Sequence, residues 1–141
     1  IKEGIENFLS LTNYVGRWQV LGKDPLVIAD SAHNEAGLGK TIPALLDRDY
    51  EHLHIVLGVV REKDLSKALL HFPVDATYYF CRPDVPRGLD AKTLRQKASE
   101  MQLTGRVYTS VRKALAAARI KAGMHDLIFV GGSSFVVAEV L

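Results

Sequence analysis

The stretch that decides the fold is Pro-Leu-Val-Ile-Ala-Asp-Ser-Ala-His-Asn, residues 25–34. Its first five residues are apolar or proline, a run typical of a strand buried on both faces. The run ends on a carboxylate, a hydroxyl, an imidazole and an amide, supplied by Asp30, Ser31, His33 and Asn34. Open α/β sheets build ligand sites at the carboxyl ends of such strands. The stretch therefore predicts a buried strand with a polar site at its end.

The rest of the chain repeats this strand-then-helix unit. We predict strands over 18–21, 26–29, 53–57, 76–81, 106–109 and 126–130, and helices over 2–11, 35–46, 65–72, 91–101 and 111–122. The first two strands are joined by a short turn, so we expect them to be neighbours. The alternation favours βαβ crossovers, and hence a three-layer α/β domain with a mainly parallel sheet flanked by helices on both faces. A chain of 141 residues is long enough for one such domain, residues 1–141.

Helix boundaries carry their own signals. Asn34, Asp64, Asp90 and Ser110 precede four of the predicted helices, and short polar side chains at such positions accept hydrogen bonds from free backbone amides. Gly123 follows the last of these helices, where we predict a left-handed residue that ends it.

Composition narrows the class of protein. Hydrophobic residues make up 48% of the chain and charged residues 24%, which is ordinary for a globular domain in water. The formal charge of +2 is too small to indicate a nucleic-acid or membrane surface, so we expect neither partner. One cysteine, Cys81, cannot form an internal disulfide, so we expect a reducing, cytoplasmic setting and a small buried side chain at that position.

Polar residues concentrate where the predicted strands end, in loops 30–34, 58–63, 82–88 and 131–134. A parallel sheet gathers such loops along one edge, which we take as the candidate site. Asp30 is a candidate ribose or ligand contact, and the alternative is that it hydrogen-bonds backbone amides at the strand end. His33 is a candidate for substrate contact or proton transfer, and the alternative is a capping or core histidine.

Two further segments belong to this candidate site. Arg17 is a candidate phosphate ligand because a guanidinium offers a planar fork of donors, and the alternative is a solvated surface arginine. The Gly-Gly-Ser at 131–133 resembles a turn whose backbone amides approach an anion, although glycines also mark ordinary strand ends.

The sequence does not indicate a metal site or a phosphate-binding loop. The remaining histidines, His52, His54, His71 and His125, have no carboxylate or cysteine at metal-ligand spacing, so we interpret them as structural and expect no metal site. The chain contains no G-x-x-x-x-G-K-[ST] phosphate loop and no G-x-G-x-x-G turn. A domain with part of a nucleotide site and no phosphate loop is expected to be half of an enzyme.

Two segments carry a resemblance to a known family: Gly-Arg-Trp-Gln-Val-Leu at 16–21 and the stretch at 25–34. Together they resemble the C-terminal domain of bacterial folylpolyglutamate synthase/dihydrofolate synthase, in the Mur ligase superfamily, where a Gly-Arg pair precedes a strand followed by Asp-Gly-Ala-His-Asn-Pro. Arg87 and the segment 126–133 are also similar, and the likeness covers about residues 5–141. Ser31 stands where glycine is usual and Glu35 where proline is usual.

The resemblance implies a Rossmann-like domain of an ATP-dependent ligase that adds L-glutamate to a folate or dihydropteroate carboxylate through an acyl phosphate. In that family a larger N-terminal ATPase domain carries the phosphate loop, the Mg2+ ligands and most of the pterin pocket, so ATP and Mg2+ are expected to bind mainly there. By position, Arg17 would contact the ATP phosphates and Asp30 would hold the ribose or orient the site. His33 and Ser133 would place glutamate or the nucleotide, which gives His33 and Asp30 the catalytic roles.

The chain begins with Ile1 rather than Met, and we interpret it as a domain of a longer protein that is monomeric. We predict that the 141-residue chain alone has no ligase activity. Two alternatives stay open: the C-terminal domain of another Mur-type amide ligase, such as a cell-wall or cyanophycin synthetase, and a non-catalytic module that binds a nucleotide or an amino acid.

Overall fold

The computed structural model describes residues 17–141, so the helix predicted over 2–11 lies outside the described residues. The strands are β1 (Gln19–Gly22), β2 (Leu26–Asp30), β3 (Leu53–Leu57), β4 (Thr77–Phe80), β5 (Gly105–Val107) and β6 (Leu127–Gly131). The helices are α1 (Glu35–Leu46), α2 (Leu65–Leu69), α3 (Ala91–Ser99), α4 (Val111–Lys121) and α5 (Ser134–Ala138). None of these helices, within residues 17–141, is long and apolar enough to cross a membrane.

The strands form one six-stranded sheet in the order β1-β2-β6-β3-β4-β5. Every neighbouring pair is parallel except β1 and β2, which are antiparallel, with a register shift between Val20 and Gly22. The predicted mainly parallel sheet and the predicted pairing of the first two strands are both confirmed.

Side chains that alternate along the strands supply two separate cores. Ile28, Ile55 and Phe129 face one side of the sheet, where they belong to one apolar cluster with buried residues of α1, α2 and α3. Val56 and Val130 face the other side, with buried residues of α4 and α5. Helices therefore cover both faces, as predicted, and the central strands are buried on both sides, which explains their continuous apolar sequences.

Most predicted helix starts are confirmed. The side chains of Asn34, Asp90 and Ser110 accept hydrogen bonds from the backbone amides of Gly37, Thr93 and Lys113. Since each cap satisfies an amide that has no partner within its helix, the polar residue fixes where the helix begins.

Two helix-end predictions are wrong. Asp64 lies before α2, but its φ of −100° and ψ of 27° are not the extended conformation of a capping residue, and its side chain makes no capping bond. Gly123 does not take a left-handed conformation, because α4 already ends in an extended residue, Ala122, with ψ of 140°. The backbone amide of Gly123 donates instead to the Asp126 carboxylate at 2.9 Å.

Candidate functional site

The candidate site lies at the carboxyl edge of the parallel strands. Asp30 at the end of β2 pairs in register with Gly131 at the end of β6, which in turn pairs with Leu57 at the end of β3. Because β1 runs antiparallel to β2 and Gln19 pairs with Ala29, β1 begins at this same edge. The four predicted site residues, Arg17, Asp30, His33 and Ser133, therefore lie along one edge of the sheet, as the topology predicts.

Asp30 is buried, with 3% of its surface exposed. Its Oδ2 accepts a hydrogen bond from the Trp18 backbone amide at 2.8 Å, and its Oδ1 accepts one from the Ala32 amide at 2.8 Å. The Thr41 hydroxyl of α1 also donates to Oδ1, at 3.3 Å. The carboxylate thus joins three segments of the chain. These contacts match the alternative interpretation of Asp30, in which it accepts hydrogen bonds from backbone amides at the strand end.

Arg17 and His33 are the chain neighbours of two residues whose amides Asp30 binds. Both side chains are exposed. Trp18, next to Arg17, has a φ of +47°, a left-handed conformation that an aromatic residue rarely adopts. The His33 ring approaches the Ser31 carbonyl oxygen with Nδ1 at 3.4 Å, which leaves Nε2 directed elsewhere. Asp30 therefore fixes the backbone on which the exposed guanidinium and imidazole are carried.

The glycine turn after β6 brings three strand ends into close contact. Gly132 has a φ of +102°, and a Cβ added there would lie 2.3 Å from the Gly58 carbonyl oxygen. A Cβ on Gly131 would lie 2.9 Å from the carbonyl oxygen of Asp30, at the end of β2. Only glycine fits at Gly132, because a side chain would meet the backbone that follows β3.

Ser133 is buried, with 3% of its surface exposed, and its Oγ accepts a hydrogen bond from the Phe135 amide at 3.0 Å. It therefore serves as the N-cap of α5, a role that the sequence did not single out. Its contact with a substrate remains a prediction.

Arginines tie together the two loops that follow β3 and β4. Arg61 donates through Nη2 to the Pro86 carbonyl at 2.9 Å, and Arg87 donates to the Arg61 carbonyl. The Arg61 amide also donates to the Arg87 carbonyl at 2.8 Å. Since these guanidiniums bind neutral carbonyl groups, their positive charge stays uncompensated by those contacts.

Cys81, at the end of β4, is fully buried. Burial, with a smaller contribution from the Glu139 charge, raises the pKa of its thiol to about 12. The prediction of a small buried hydrophobe is confirmed, and the thiol is protonated at neutral pH.

The histidines make structural contacts. His52 forms a hydrogen bond with the Thr77 hydroxyl at 2.7 Å, and His71 Nε2 lies 3.4 Å from the Glu35 carboxylate. Within residues 17–141, no group of three or more His, Cys, Asp or Glu side chains is placed to hold a metal ion.

One histidine network was missed at the sequence level. His54 is buried in β3, with Nε2 at 2.9 Å from Asp126 Oδ2 and Nδ1 at 2.8 Å from the Tyr79 hydroxyl. Burial lowers the pKa of His54, and the hydrogen bond to Asp126 offsets this only in part. A histidine within a continuous apolar strand was the available signal, since a buried imidazole requires hydrogen-bonding partners.

A cleft of about 540 Å³ lies near this network, at the opposite edge of the sheet. Its lining includes Lys23, Asp24, Asp49, Tyr50, His125 and Asp126. None of the four predicted site residues borders it. His33 instead borders a small apolar pocket with Leu38, Val59 and Gly132 at the carboxyl edge.

The fold and the position of the site define a three-layer α/β domain with a polar carboxyl edge. Residues 16–134 match the family model for the Mur ligase, glutamate ligase domain. The chain belongs to this Mur ligase C-terminal domain family.

Known relatives agree with this family. A probable bifunctional folylpolyglutamate synthase/dihydropteroate synthase of Haloferax volcanii is 32% identical over 97% of this chain and 16% of its own length. The structure of Escherichia coli FolC in complex with DHPP and ADP has a TM-score of 0.79 and 28% identity, over 89% of this chain and 30% of that one. A bifunctional folylpolyglutamate synthase/dihydrofolate synthase with Mn, AMPPNP and L-glutamate bound has a TM-score of 0.77 and 28% identity, over the same shares. The chain thus spans less than a third of the length of each of these relatives.

Proposed function

We propose that this chain is the C-terminal domain of a longer ATP-dependent ligase that adds L-glutamate to a folate or dihydropteroate carboxylate. A carboxylate oxygen of the acceptor attacks the γ-phosphorus of ATP, and ADP leaves. The amino nitrogen of glutamate then attacks the acyl carbon, phosphate leaves, and the nitrogen loses a proton. Similarity to the synthases over nearly the whole chain supports this reaction.

The observation that carries the proposal is the Asp30 junction at the carboxyl edge. Its carboxylate holds the segments that carry Arg17 and His33 by accepting two hydrogen bonds from backbone amides, each of 2.8 Å. An exposed guanidinium and an exposed imidazole on a fixed backbone suit a site that closes over a bound nucleotide. Such positioning contributes a large share of catalysis, about 7–11 kcal/mol in favourable cases.

We propose that the nucleotide and the metal bind mainly outside this chain. The sequence has no phosphate loop, and residues 17–141 hold no metal-ligand cluster. We therefore assign ATP and Mg2+ mainly to an N-terminal ATPase domain of the same protein, which would be the partner of this edge. Bound there, the Mg2+ ion would neutralise phosphate charge.

Each site residue has a role that its geometry allows. Arg17 contacts the ATP phosphates, where its fork of donors stabilises charge during phosphoryl transfer. His33 places the incoming glutamate and takes part in the proton transfer from its nitrogen. The Ser133 hydroxyl accepts one internal bond and keeps its own proton to donate to a substrate. Asp30 orients the site, because its two carboxylate oxygens already accept three hydrogen bonds from within the domain.

The proposal is tested in the full-length protein with ATP, glutamate, and dihydropteroate or a folate. ADP release and mass spectrometry of the glutamylated product are the readouts. We expect Arg17→Ala and His33→Ala to lower turnover by about 100-fold or more, with unchanged unfolding midpoints, because both side chains are exposed. Arg95→Ala, which removes an exposed arginine from α3, is the matched control and should be neutral.

The outcomes separate the alternatives. ADP release that depends on another amino acid and not on glutamate would assign the protein to a different Mur-type ligase. Nucleotide or glutamate binding without turnover would support the non-catalytic module. The 141-residue chain alone should release no ADP, and an equal loss of stability in both alanine variants would favour structural roles for Arg17 and His33.

A further inference from the structure

The Asp30 carboxylate is held in place by a helix residue outside the strand-end motif. Thr41 lies in α1, is 7% exposed, and donates its hydroxyl to Asp30 Oδ1 at 3.3 Å. The Ala32 amide donates to the same oxygen, and the Trp18 amide donates to the other. Thr41 is thus the one side-chain donor that the described residues give to this carboxylate.

The hydroxyl limits how the carboxylate can rotate. With the two amides alone, each oxygen has one partner, and the plane of the carboxylate is held only by two loop segments. With Thr41, the plane is also anchored to α1, a helix whose buried residues pack against the sheet. A threonine hydroxyl in a helix commonly bonds a carbonyl of the preceding turn, so its use on a side chain eleven residues away is informative.

The start of β1 also depends on this carboxylate. Trp18 has a φ of +47°, which a bulky residue adopts only when its surroundings impose it. The hydrogen bond from the Trp18 backbone amide to Asp30 Oδ2 is one such constraint. Arg17 is the residue that precedes Trp18. A change in the plane of the Asp30 carboxylate is therefore transmitted to the backbone that carries the Arg17 guanidinium.

We propose that Thr41 is a positioning residue of the ligase reaction, acting through Asp30 to hold the Arg17 segment at the nucleotide. This inference rests on the proposed function. Because the Thr41 hydroxyl is buried and donates to Asp30, its effect is on the placement of a group that binds ATP rather than on the bond-making steps themselves.

Steady-state kinetics of the full-length protein test this role. Thr41→Val keeps the branched shape and removes the hydroxyl, whereas Thr41→Ser keeps the hydroxyl. We expect Thr41→Val to raise the KM for ATP by about tenfold with a smaller change in kcat. Thr41→Ser should have the wild-type KM for ATP. Thr93→Val is the matched control, because Thr93 also donates to an aspartate, Asp90, but at the start of α3.

A second readout does not require activity. Trp18 is the only tryptophan in the 141-residue chain, so its fluorescence reports directly on the start of β1. In the 141-residue chain, we expect Thr41→Val to increase the quenching of Trp18 fluorescence by acrylamide, and Thr41→Ser and Thr93→Val to leave it unchanged.

The two readouts distinguish a failure of the proposed Thr41 role from a failure of the proposed ligase function. Unchanged quenching in Thr41→Val, or equal effects of the valine and serine variants, would overturn the positioning role. A loss of kcat alone at constant KM would overturn it as well, because partial unfolding lowers only the active fraction. Altered quenching in the 141-residue chain, together with a full-length protein that never releases ADP, would refute the proposed ligase function while leaving the Thr41–Asp30 anchor supported.

Discussion

Replacement of His54 by leucine should destabilise the domain through two lost hydrogen bonds. The His54 side chain is 4% exposed, and its Nε2 lies 2.9 Å from the Asp126 carboxylate. The carboxylate only accepts, so Nε2 carries the proton and Nδ1 accepts from the Tyr79 hydroxyl at 2.8 Å. Burial, with smaller contributions from the charges of Tyr108 and Asp126, raises the pKa of Tyr79 to about 12, so this hydroxyl keeps its proton to donate.

The size of the effect follows from the two bonds. A hydrogen bond to a charged group contributes about 1.5–3 kcal/mol and a neutral one about 0.5–1.5 kcal/mol. Leucine returns part of this through its greater apolar surface. We therefore expect His54→Leu to lower the free energy of unfolding by about 2–3 kcal/mol in urea denaturation of the 141-residue chain. Tyr79→Phe removes only the neutral bond and is the control, with an expected loss of about 1 kcal/mol.

The pH dependence has a definite sign. Burial holds the pKa of His54 in the folded domain below its ordinary value of 6.5, despite the opposing hydrogen bond to Asp126. As the pH falls below that value, the unfolded chain takes up a proton on His54 that the folded domain does not yet accept, so wild-type stability falls. The His54→Leu variant lacks this component and should have a shallower loss between about pH 7 and pH 5.

Asp126 does not interfere in this range. Burial alone would raise its pKa, but hydrogen bonds from His54 and from the Gly123 amide outweigh burial and lower it below 3.8. Its stabilising contribution is therefore lost only at lower pH. Parallel pH profiles for the wild type and His54→Leu, or a loss no larger than that of Tyr79→Phe, would refute this account of His54.

Two further predictions concern the carboxyl edge. Gly132→Ala should destabilise the domain by about 3 kcal/mol in urea denaturation, because its Cβ would meet the Gly58 carbonyl oxygen at a φ of +102°. Gly39→Ala, an exposed position in α1, is the control and should stabilise by about 0.5–1 kcal/mol; equal effects of the two would contradict the steric argument. Cys81 should react with thiol reagents only on unfolding, because burial and the Glu139 charge raise its pKa to about 12; rapid modification of the native domain, measured by mass spectrometry, would contradict its buried position.

The sequence was sufficient to predict the central strands and the edge at which they end. Apart from His54 and the terminal Asp30, β2, β3 and β6 are apolar runs, because each strand is covered on both faces and that burial leaves little choice of residue. Once the strands are parallel, topology alone places their terminal loops together. The conformation of single residues was harder to predict: Asn34 and Asp64 are similar cap candidates, but only Asn34 has the extended backbone that aims its side chain at the helix amides.

Contacts between distant segments could not be predicted from local patterns. His54 and Asp126 are 72 residues apart, and they meet because β3 and β6 are adjacent and in parallel register. The interpretation of His54 as a structural residue agrees with its contacts. Its carboxylate partner could not be predicted, because it depends on the strand order, which hydrophobic periodicity does not specify.

The contacts of Asp30 match one of its two sequence interpretations, in which the carboxylate accepts hydrogen bonds from backbone amides at the strand end. Its three described partners are all donors, two amides and a hydroxyl, so the site requires a group that only accepts. An asparagine would direct one NH2 group at a backbone amide and lose a bond in a buried position. A carboxylate is therefore required by the backbone geometry itself, before any ligand is considered. The residue that most resembles a ligand contact in the sequence influences the proposed reaction through the two exposed side chains whose backbone it holds.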